Sequence, residues 1–573
     1  VNAKYEPNLD CAGYNVGNGL VYKTPKTGPG SCGTPLLCGN TIVGFHISGY
    51  TRGIDNWGGA QEITYEHFKD YMTVMEKDVD YIKMPESGRE NERTRLGYEL
   101  YSAVGTPHPA SKTVEHIAPY GAAQIKGHNL NLVRYRSRVR RSLMSEPLTK
   151  LGHSKNVWKS PDMSKPWVFH NTNLEHVTRG AWEIPPDALE WAYNDYIQPL
   201  LDKVPEYMEK HPEYTRVLTL DEAINGVQGS MFMGPLNMKT SIGPVAEGSG
   251  RKCDSWVFNE IEPFENGQKR FALNDEAMAF YDDMVDCISK GKKYGAWSTT
   301  CLKDEVVAED SEKVRIFYIL ETIFTILVRQ YYLPMIEFYS RHPLLSECAV
   351  GINCASAEWE ELMQHLEKLA PDGVATEYDY SKYDLVRSQD VMIVAGKIHS
   401  AIGRAFGYSD EAIRIMDGIV DELRNPTINW NGTIVSLFLW ISGNSLTVYG
   451  NSIENSLHNR ASFYLAGLRL LGREKFLALG PYRHNEALIT YGDDGGAGSR
   501  PEVRELTCFS SRKRYFDSIG MKITDAHKNA NPPEFTKFSE FSFLKRKSVF
   551  IPDLGLRVGA LDKKSIEKMG HMH

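Results

Sequence analysis

Tyr491-Gly492-Asp493-Asp494-Gly495 is the stretch on which the reading of this chain turns. Two adjacent carboxylates stand at a tight turn between the apolar run Ala487-Leu488-Ile489-Thr490 and a Gly495-Gly496 pair. Upstream, Val374-Ala375-Thr376-Glu377-Tyr378-Asp379 reads as a strand ending at an acid. The 487–494 run reads as a strand meeting it across a hairpin. Between them lie Ser442-Gly443-Asn444-Ser445-Leu446-Thr447 and, one helical turn on, Asn451. Alone, Asp-Gly is an ordinary hairpin turn. With Asp379 as a third acid, the same turn becomes a candidate metal site.

Bulk properties restrict the setting. A chain of 573 residues has room for ~3–4 domains, and 42% hydrophobic with 24% charged residues is ordinary globular composition. The net charge of −8 gives no overall basic field, so any bound nucleic acid must meet positive charge gathered in a channel. Nine cysteines with no C-x-x-C pair argue against a disulfide framework or a zinc site, and fit a reducing compartment. Val1-Asn2-Ala3-Lys4 carries no secretory pattern. The longest apolar stretch, 316–328, is too short to span a bilayer and reads as a buried helix.

Three regions follow along the chain. Residues 1–80 are Gly-rich with short β-like runs such as Thr41-Ile42-Val43-Gly44-Phe45-His46-Ile47. Residues 81–125 read as a linker, broken by Gly105-Thr106-Pro107-His108-Pro109, that enters a new domain. Residues 126–573 mix helices and strands. Within them Arg134, Arg136, Arg138 and Arg140 alternate. On a strand all four would share one face, either turned to a nucleic acid or guarding a solvated edge.

Phosphoryl transfer between nucleotides uses two divalent ions ~3.5–4 Å apart, held by carboxylate oxygens on rigid backbone. Asp379 and Asp493 are the principal candidate ligands, with Asp494 a lesser one. The three stretches resemble motifs A (Asp379-x4-Asp384), B (Ser442-Gly443-x3-Thr447-x3-Asn451) and C (Tyr491-Gly492-Asp493-Asp494) of the RNA-dependent RNA polymerases of positive-strand picorna-like viruses. Thr240-Ser241-Ile242-Gly243-Pro244 resembles motif G, and Lys303-Asp304-Glu305 with Lys313-Val314-Arg315 resembles motif F. Asp525-Ala526-His527-Lys528 resembles the end of motif D, and Phe543-Leu544-Lys545-Arg546 motif E. The likeness covers roughly residues 100–550.

The resemblance implies an α+β, right-hand fold of fingers, palm and thumb with an antiparallel palm sheet. It assigns Lys303, Lys313 and Arg315 to the incoming triphosphate, where a guanidinium fork suits phosphate oxygens. Lys528 becomes the general acid for pyrophosphate. Asp384, Thr447 and Asn451 form a network sensing the ribose 2′-hydroxyl, and Ser442-Gly443 a mobile loop before a helix. Thr240 and Ser241 fall on the template path, and Lys545 and Arg546 on the primer backbone. Taken singly, each basic residue reads equally as surface charge. The implied cofactor is Mg²⁺, with Mn²⁺ as a substitute. The implied partners are RNA template and primer, NTPs, a genome-linked peptide primer and other viral replication proteins, in the host cytoplasm at membrane-associated replication complexes.

Gly28-Pro29-Gly30-Ser31-Cys32-Gly33-Thr34 resembles the nucleophile loop of chymotrypsin-like viral cysteine proteases of the 3C type. Gly44-Phe45-His46-Ile47-Ser48-Gly49 resembles their specificity-pocket strand, with His46 fourteen residues after Cys32. A cysteine nucleophile needs a base and an orienting acid, which that family places before the cysteine, where this chain has 31 residues. The expectation is a C-terminal protease fragment, a barrel remnant without proteolytic activity, joined to the polymerase as in a polyprotein; Glu86-Ser87 is a candidate junction. Only 27 residues follow Arg546, so a truncated thumb is expected. The rival readings are a reverse transcriptase, which shares the palm, a non-catalytic RNA-binding precursor, and an active protease.

Overall fold

The computed structural model describes residues 136–573 except 165, 180–182, 244–256, 432, 438 and 526–527, together with the strands within residues 3–62 and the strand Ala123–His128. Cys32, Arg134 and the Glu86-Ser87 junction lie outside the described residues. The chain forms two compact units, Val1–Glu90 with Val104–Thr106, and Asn91–Ala103 with Pro107–His573. The first holds one antiparallel sheet in the order Ala3–Cys11, Tyr14–Lys23, Asp55–Glu62, Thr41–Arg52, Pro35–Cys38; His46 falls in its fourth strand.

The second unit is built round a small antiparallel sheet. Its central strand, Val374–Tyr380, pairs on one edge with Asp494–Ser499 and on the other with the short strands Ile523–Thr524 and Thr536–Lys537. Glu486–Tyr491 pairs with Asp494–Ser499, so the acidic turn joins two neighbouring strands. The central strand meets the second arm of this hairpin rather than the first. Side chains alternate across the sheet, as the pleat requires. Tyr378, Tyr380 and Leu488 belong to the large core. Ala375, Ala487 and Ile489 face a second cluster with Trp359, Leu362, Leu366, Phe541 and Phe543.

Beneath the first face runs the helix Thr447–Leu471, buried on nearly every side. Ile453, Leu457 and Phe463 are core, as their apolar character predicts. The same helix also buries Glu454, Asn455, His458, Asn459 and Arg460. Buried polar groups need partners, and these have them. Arg460 donates from Nε to Asp195 at 2.7 Å and from both Nη atoms to Glu347 at 2.7 Å, stacked over the Tyr482 ring. Arg512 bonds Asn459 and Glu486.

A second five-stranded sheet follows the order Ile316–Leu320, Trp297–Leu302, Thr427–Trp430, Thr433–Leu437, Ala123–His128. It includes one parallel pairing, between Trp297–Leu302 and Thr427–Trp430. The apolar run 316–328 is therefore not one helix. It is a strand, then a turn at Glu321, then the helix Thr322–Arg341. Glu321-Thr322 interrupts the run at that point, but periodicity cannot separate a buried strand from a buried helix on either side of it. The N–H of Glu321 instead donates to the Trp297 carbonyl, extending the ladder.

The arginine alternation is also not a strand over its described part, 136–140. Arg136, Arg138 and Arg140 are exposed and alternate with more buried Ser137 and Val139. The Arg138 N–H, however, goes to the Asp304 carboxylate, and Arg140 exchanges main-chain hydrogen bonds with His573. The pairing with the chain's end amounts to a single antiparallel bridge, Arg141 with Met572, and no longer ladder forms. After Arg546 the chain forms the strands Arg546–Ile551 and Leu556–Leu561 and the helix Lys563–His571. Among the described residues no helix is long and apolar enough to cross a membrane.

Removing the Arg460 guanidinium would strand two buried carboxylates. Arg460→Met should cost about 3–5 kcal/mol, read as a lowered denaturation midpoint. Arg460→Lys should recover little of it, since one ammonium cannot replace the two-sided fork.

Candidate active site

The site forms where the central strand and the hairpin end together. Tyr378 and Tyr380 point into the core, which leaves Asp379 on the opposite face, its side chain 32% exposed. Tyr491 pairs with Asp494, making Gly492-Asp493 a two-residue turn. Gly495 is demanded by packing: a Cβ there would sit 2.5 Å from the Tyr378 hydroxyl. That close approach brings the Asp494 backbone down beside the Asp379 strand.

The acids feel one another. Burial, then Asp384 and Asp379, push the Asp493 carboxyl up to about 6. Burial, then Asp493 and Asp379, push Asp494 up to about 7, partly opposed by Lys545. The Lys528 ammonium lies 3.4 Å from Asp379. Among the described residues no three acidic, histidine or cysteine side chains already converge into an ion cage. The donor set nonetheless suits a hard divalent cation, because carboxylates held up by mutual repulsion gain most from positive charge between them.

One asparagine holds the acidic turn. Asn455 donates from Nδ2 to the carbonyls of Gly492, Asp493 and Asp494 at 3.1, 3.4 and 3.4 Å. Its Oδ1 accepts from the hydroxyls of Tyr378 and Tyr380, both at 3.0 Å. A single side chain thus ties the turn to the strand bearing Asp379. The sequence offered a faint signal for it: a second asparagine one helical turn beyond Asn451.

The basic residues gather unevenly. Arg315 forms a fork on Glu305, with 2.5 Å contacts from Nε and Nη2, and Lys303 stands 3.6 Å from the same carboxylate. Glu305 first, and the Asp493 and Asp384 charges after it, raise the Arg315 pKa. Lys313 is exposed, with no ion pair among the described residues. Lys568, from the last helix, is a cation that sequence reasoning missed. Burial and then Lys545 lower its pKa, with Arg315 and Lys303 contributing. Lys545 is exposed at the tip of a turn, whereas Arg546 spends its Nη1 on the Gly559 carbonyl at 2.8 Å. Thr240 and Ser241 are exposed on the loop before Ile242, whose carbonyl accepts from the Thr322 N–H.

Gly443 has φ 94°, and a Cβ there would lie 2.5 Å from the Tyr318 carbonyl oxygen, so the Ser442-Gly443 loop needs glycine twice over. The Thr447 hydroxyl accepts from the Asn444 N–H at 3.2 Å and closes this loop rather than touching Asp384 or Asn451. Those two residues are linked through Arg387, absent from the sequence reading. Arg387 donates to Asn451 Oδ1 at 2.6 Å and lies 3.9 Å from Asp384.

Comparison with known proteins fits this geometry. Residues 170–571 match the family model described as viral RNA-dependent RNA polymerase. The chain is 26% identical over 602 aligned residues to the genome polyprotein of Rice tungro spherical virus (strain Vt6), covering 97% of this chain and 16% of that protein. It is 24% identical over 592 residues to the replicase polyprotein of Drosophila C virus (strain EB), covering 98% of this chain and 31% of that protein. It thus spans well under half the length of these curated relatives. In fold, it resembles the Sicinivirus 3Dpol RNA dependent RNA polymerase, with a TM-score of 0.58 at 17% identity, covering 76% of this chain and 83% of that one. The family match takes in the acidic turn, the strand beneath it and the buried helix that binds them, and by it the chain belongs to the viral RNA-dependent RNA polymerases, a family of nucleotidyltransferases.

Proposed function

We propose that this chain extends an RNA 3′ end by template-directed addition of ribonucleotides, as the polymerase segment of a viral polyprotein that replicates a genome. The observation that carries this is the meeting of Asp379, Asp493 and Asp494 at one sheet end, faced by Lys528, Arg315 and Lys545.

In the reaction the primer 3′ oxygen forms a bond to the α-phosphorus and the bond to pyrophosphate breaks. Asp379, Asp493 and Asp494 would hold divalent ions, Mg²⁺ with Mn²⁺ as substitute. Such ions, when bound, acidify the attacking hydroxyl and offset triphosphate charge. Lys303 and Arg315, with Lys568 behind them, would receive the triphosphate, and exposed Lys313 would meet it from solvent. Glu305 holds Arg315 until phosphate oxygens compete for the fork. Lys528 would donate a proton to the leaving pyrophosphate. Thr240 and Ser241 would line the template path, and Lys545 would steady the primer backbone with Arg546 bracing its turn. RNA, NTPs, a genome-linked peptide primer and other replication proteins are the partners this reading implies. The setting it implies is membrane-associated replication complexes in the host cytoplasm.

The first unit is read as the C-terminal part of a 3C-like protease. Its antiparallel sheet and the Cys32 and His46 motifs support that reading. If so, this chain alone should not cleave a Gln- or Glu-containing peptide; cleavage lost on Cys32→Ala would reverse it. A reverse transcriptase is disfavoured by polar Asp384 and Asn451 where such enzymes place bulk, and preference for dNTPs would restore it.

Primer extension on a homopolymer template should be abolished by Asp493→Ala with the melting temperature little changed, because a turn-tip acid contributes little packing. Retained synthesis would remove Asp493 from the site. RNA binding without any extension by the unmodified chain would favour a non-catalytic precursor.

A second expectation comes from the raised carboxyls. Their folded pKa values exceed those of an unfolded chain, so the stability they allow is present below about pH 4 and is lost as pH rises towards about 7. At pH 8 without divalent ions, Asp494→Asn should raise the melting temperature by roughly 1–3 °C. Adding Mg²⁺ should stabilise the unmodified chain more at pH 8 than at pH 5, and Asp494→Asn should blunt that gain.

A further inference from the structure

Arg387 is almost fully buried, its side chain 1% exposed, and it follows Asp384 by one short turn. Its Nη1 donates to Asn451 Oδ1 at 2.6 Å and to both oxygens of Glu454, itself 0% exposed, at 3.3 and 3.2 Å. Its Nη2 donates to the Trp440 carbonyl at 3.3 Å, and its guanidinium lies over the Tyr383 ring. The Tyr383 hydroxyl in turn donates to the Asn451 carbonyl at 3.2 Å. Asn451 is therefore held by its side chain and its main chain. It also lies against the acidic turn: a Cβ on Gly492 would be 4.0 Å from the Asn451 Cβ.

The chemistry of these partners fixes a direction. An arginine has five donors and no acceptor. The atom of Asn451 facing it must be the amide oxygen, which removes the usual ambiguity of an asparagine flip. The amide NH₂ then points away from Arg387, and among the described residues it has no hydrogen-bond partner. Asp384, 3.9 Å from the other side of the guanidinium and about half exposed, offers only acceptors.

We infer that Arg387, with Glu454 as its counter-ion, is the positioning residue that makes this polymerase choose ribose. It presents Asn451 as a donor and Asp384 as an acceptor to the sugar. This rests on the proposed polymerase reading and on the ribose role given to Asp384 and Asn451. A 2′-hydroxyl is both donor and acceptor, so it satisfies both groups at once. A 2′-deoxy sugar leaves both unpaired, which is the strongest form of discrimination a small pocket offers. With the amide turned over, Asn451 and Asp384 would compete as acceptors for one proton, and the preference would shrink. The signal was present in the sequence as two equal steps, Asp384 to Arg387 and Asn451 to Glu454, but an arginine and a glutamate in apolar company announce only that each needs a partner.

The test is single-nucleotide extension with CTP and with 2′-deoxy-CTP, read as the ratio of the two kcat/KM values. That ratio does not depend on how much of a preparation is folded, so a purely structural role would leave it unmoved. Two double variants remove the buried charges together: Arg387→Leu with Glu454→Leu, and Arg387→Gln with Glu454→Gln. In both, the ribose preference should fall by about tenfold, the worth of one hydrogen bond. Arg387→Lys, still a pure donor, should keep more of it. A ratio within about twofold of the unmodified chain in the double variants, while Asn451→Ala lowers it, overturns the inference and keeps the ribose pocket. A ratio unmoved by Asn451→Ala as well sinks the pocket reading itself. Inactivity of both double variants towards CTP also overturns the inference, by making Arg387 a structural strut.

Discussion

Carboxylates that repel one another are held together at the end of one small sheet, and much of the second unit serves that confinement. Asp493 and Asp494 are pushed well above the usual carboxylate range by burial and by their acidic neighbours. A flexible turn would relax by swinging the acids apart. This one is prevented from doing so by its backbone rather than its side chains. Asn455 grips three consecutive carbonyls of the turn, and the glycine at 495 lets the hairpin lie directly on Tyr378. Preorganisation of this kind keeps charged groups where substrate charge will arrive, without a reorganisation cost during reaction.

That rigidity reaches back into the core through a chain of buried polar contacts. The strand that delivers the turn, Glu486–Tyr491, is flanked by Glu347, whose carbonyl accepts from both the Thr490 N–H and the Thr490 hydroxyl. Glu347 takes φ 56°, an uncommon conformation for a residue with a side chain. Its carboxylate is locked by Arg460, and Arg483 lies 3.2 Å away. The Thr447–Leu471 helix is therefore less a hydrophobic support than a polar spine. Arg460 fixes the strand, Asn455 the turn, and Asn451 with Glu454 the buried guanidinium of Arg387. Apolar residues could fill the same volume, but they could not fix the direction of a carbonyl or an amide.

What the sequence disclosed follows from the same distinction. The acidic turn and its strand were legible because each is declared locally, by a turn pair and by the apolar run before it. The 316–328 run was misread as one helix although Glu321-Thr322 interrupts it, because what makes its first part a strand is pairing with a distant strand. The alternating arginines were legible as an exposed face but not as a non-strand, since the Arg138 N–H goes to the Asp304 carboxylate and pairing with the distant end of the chain stops at one bridge. Arg387, Asn455 and Lys568 escaped altogether. Each acts through partners separated by tens to hundreds of positions, and a single polar residue in a buried helix carries no period. Thr447, which the resemblance places in the sugar network, accepts from the Asn444 N–H in the loop that Gly443 permits.

The cations around the acids are delivered by strained backbone. Among the described residues, six with side chains have positive φ, and four of them are Lys382, Lys528, Leu544 and Lys545. Lys528 is the residue whose ammonium meets Asp379, and Lys545 the one whose charge acts on Asp494. Left-handed backbone costs roughly 1–3 kcal/mol per residue and persists only where surroundings over-determine it. For Leu544-Lys545 the surroundings are visible: the Phe543 and Arg546 pairing fixes a two-residue turn, and Arg546 bonds the next strand, Leu556–Leu561. For Lys528 the turn is closed by its own N–H to the Asp525 carbonyl. Both lysine positions are therefore held by the main-chain contacts around them, as a left-handed residue with a side chain requires.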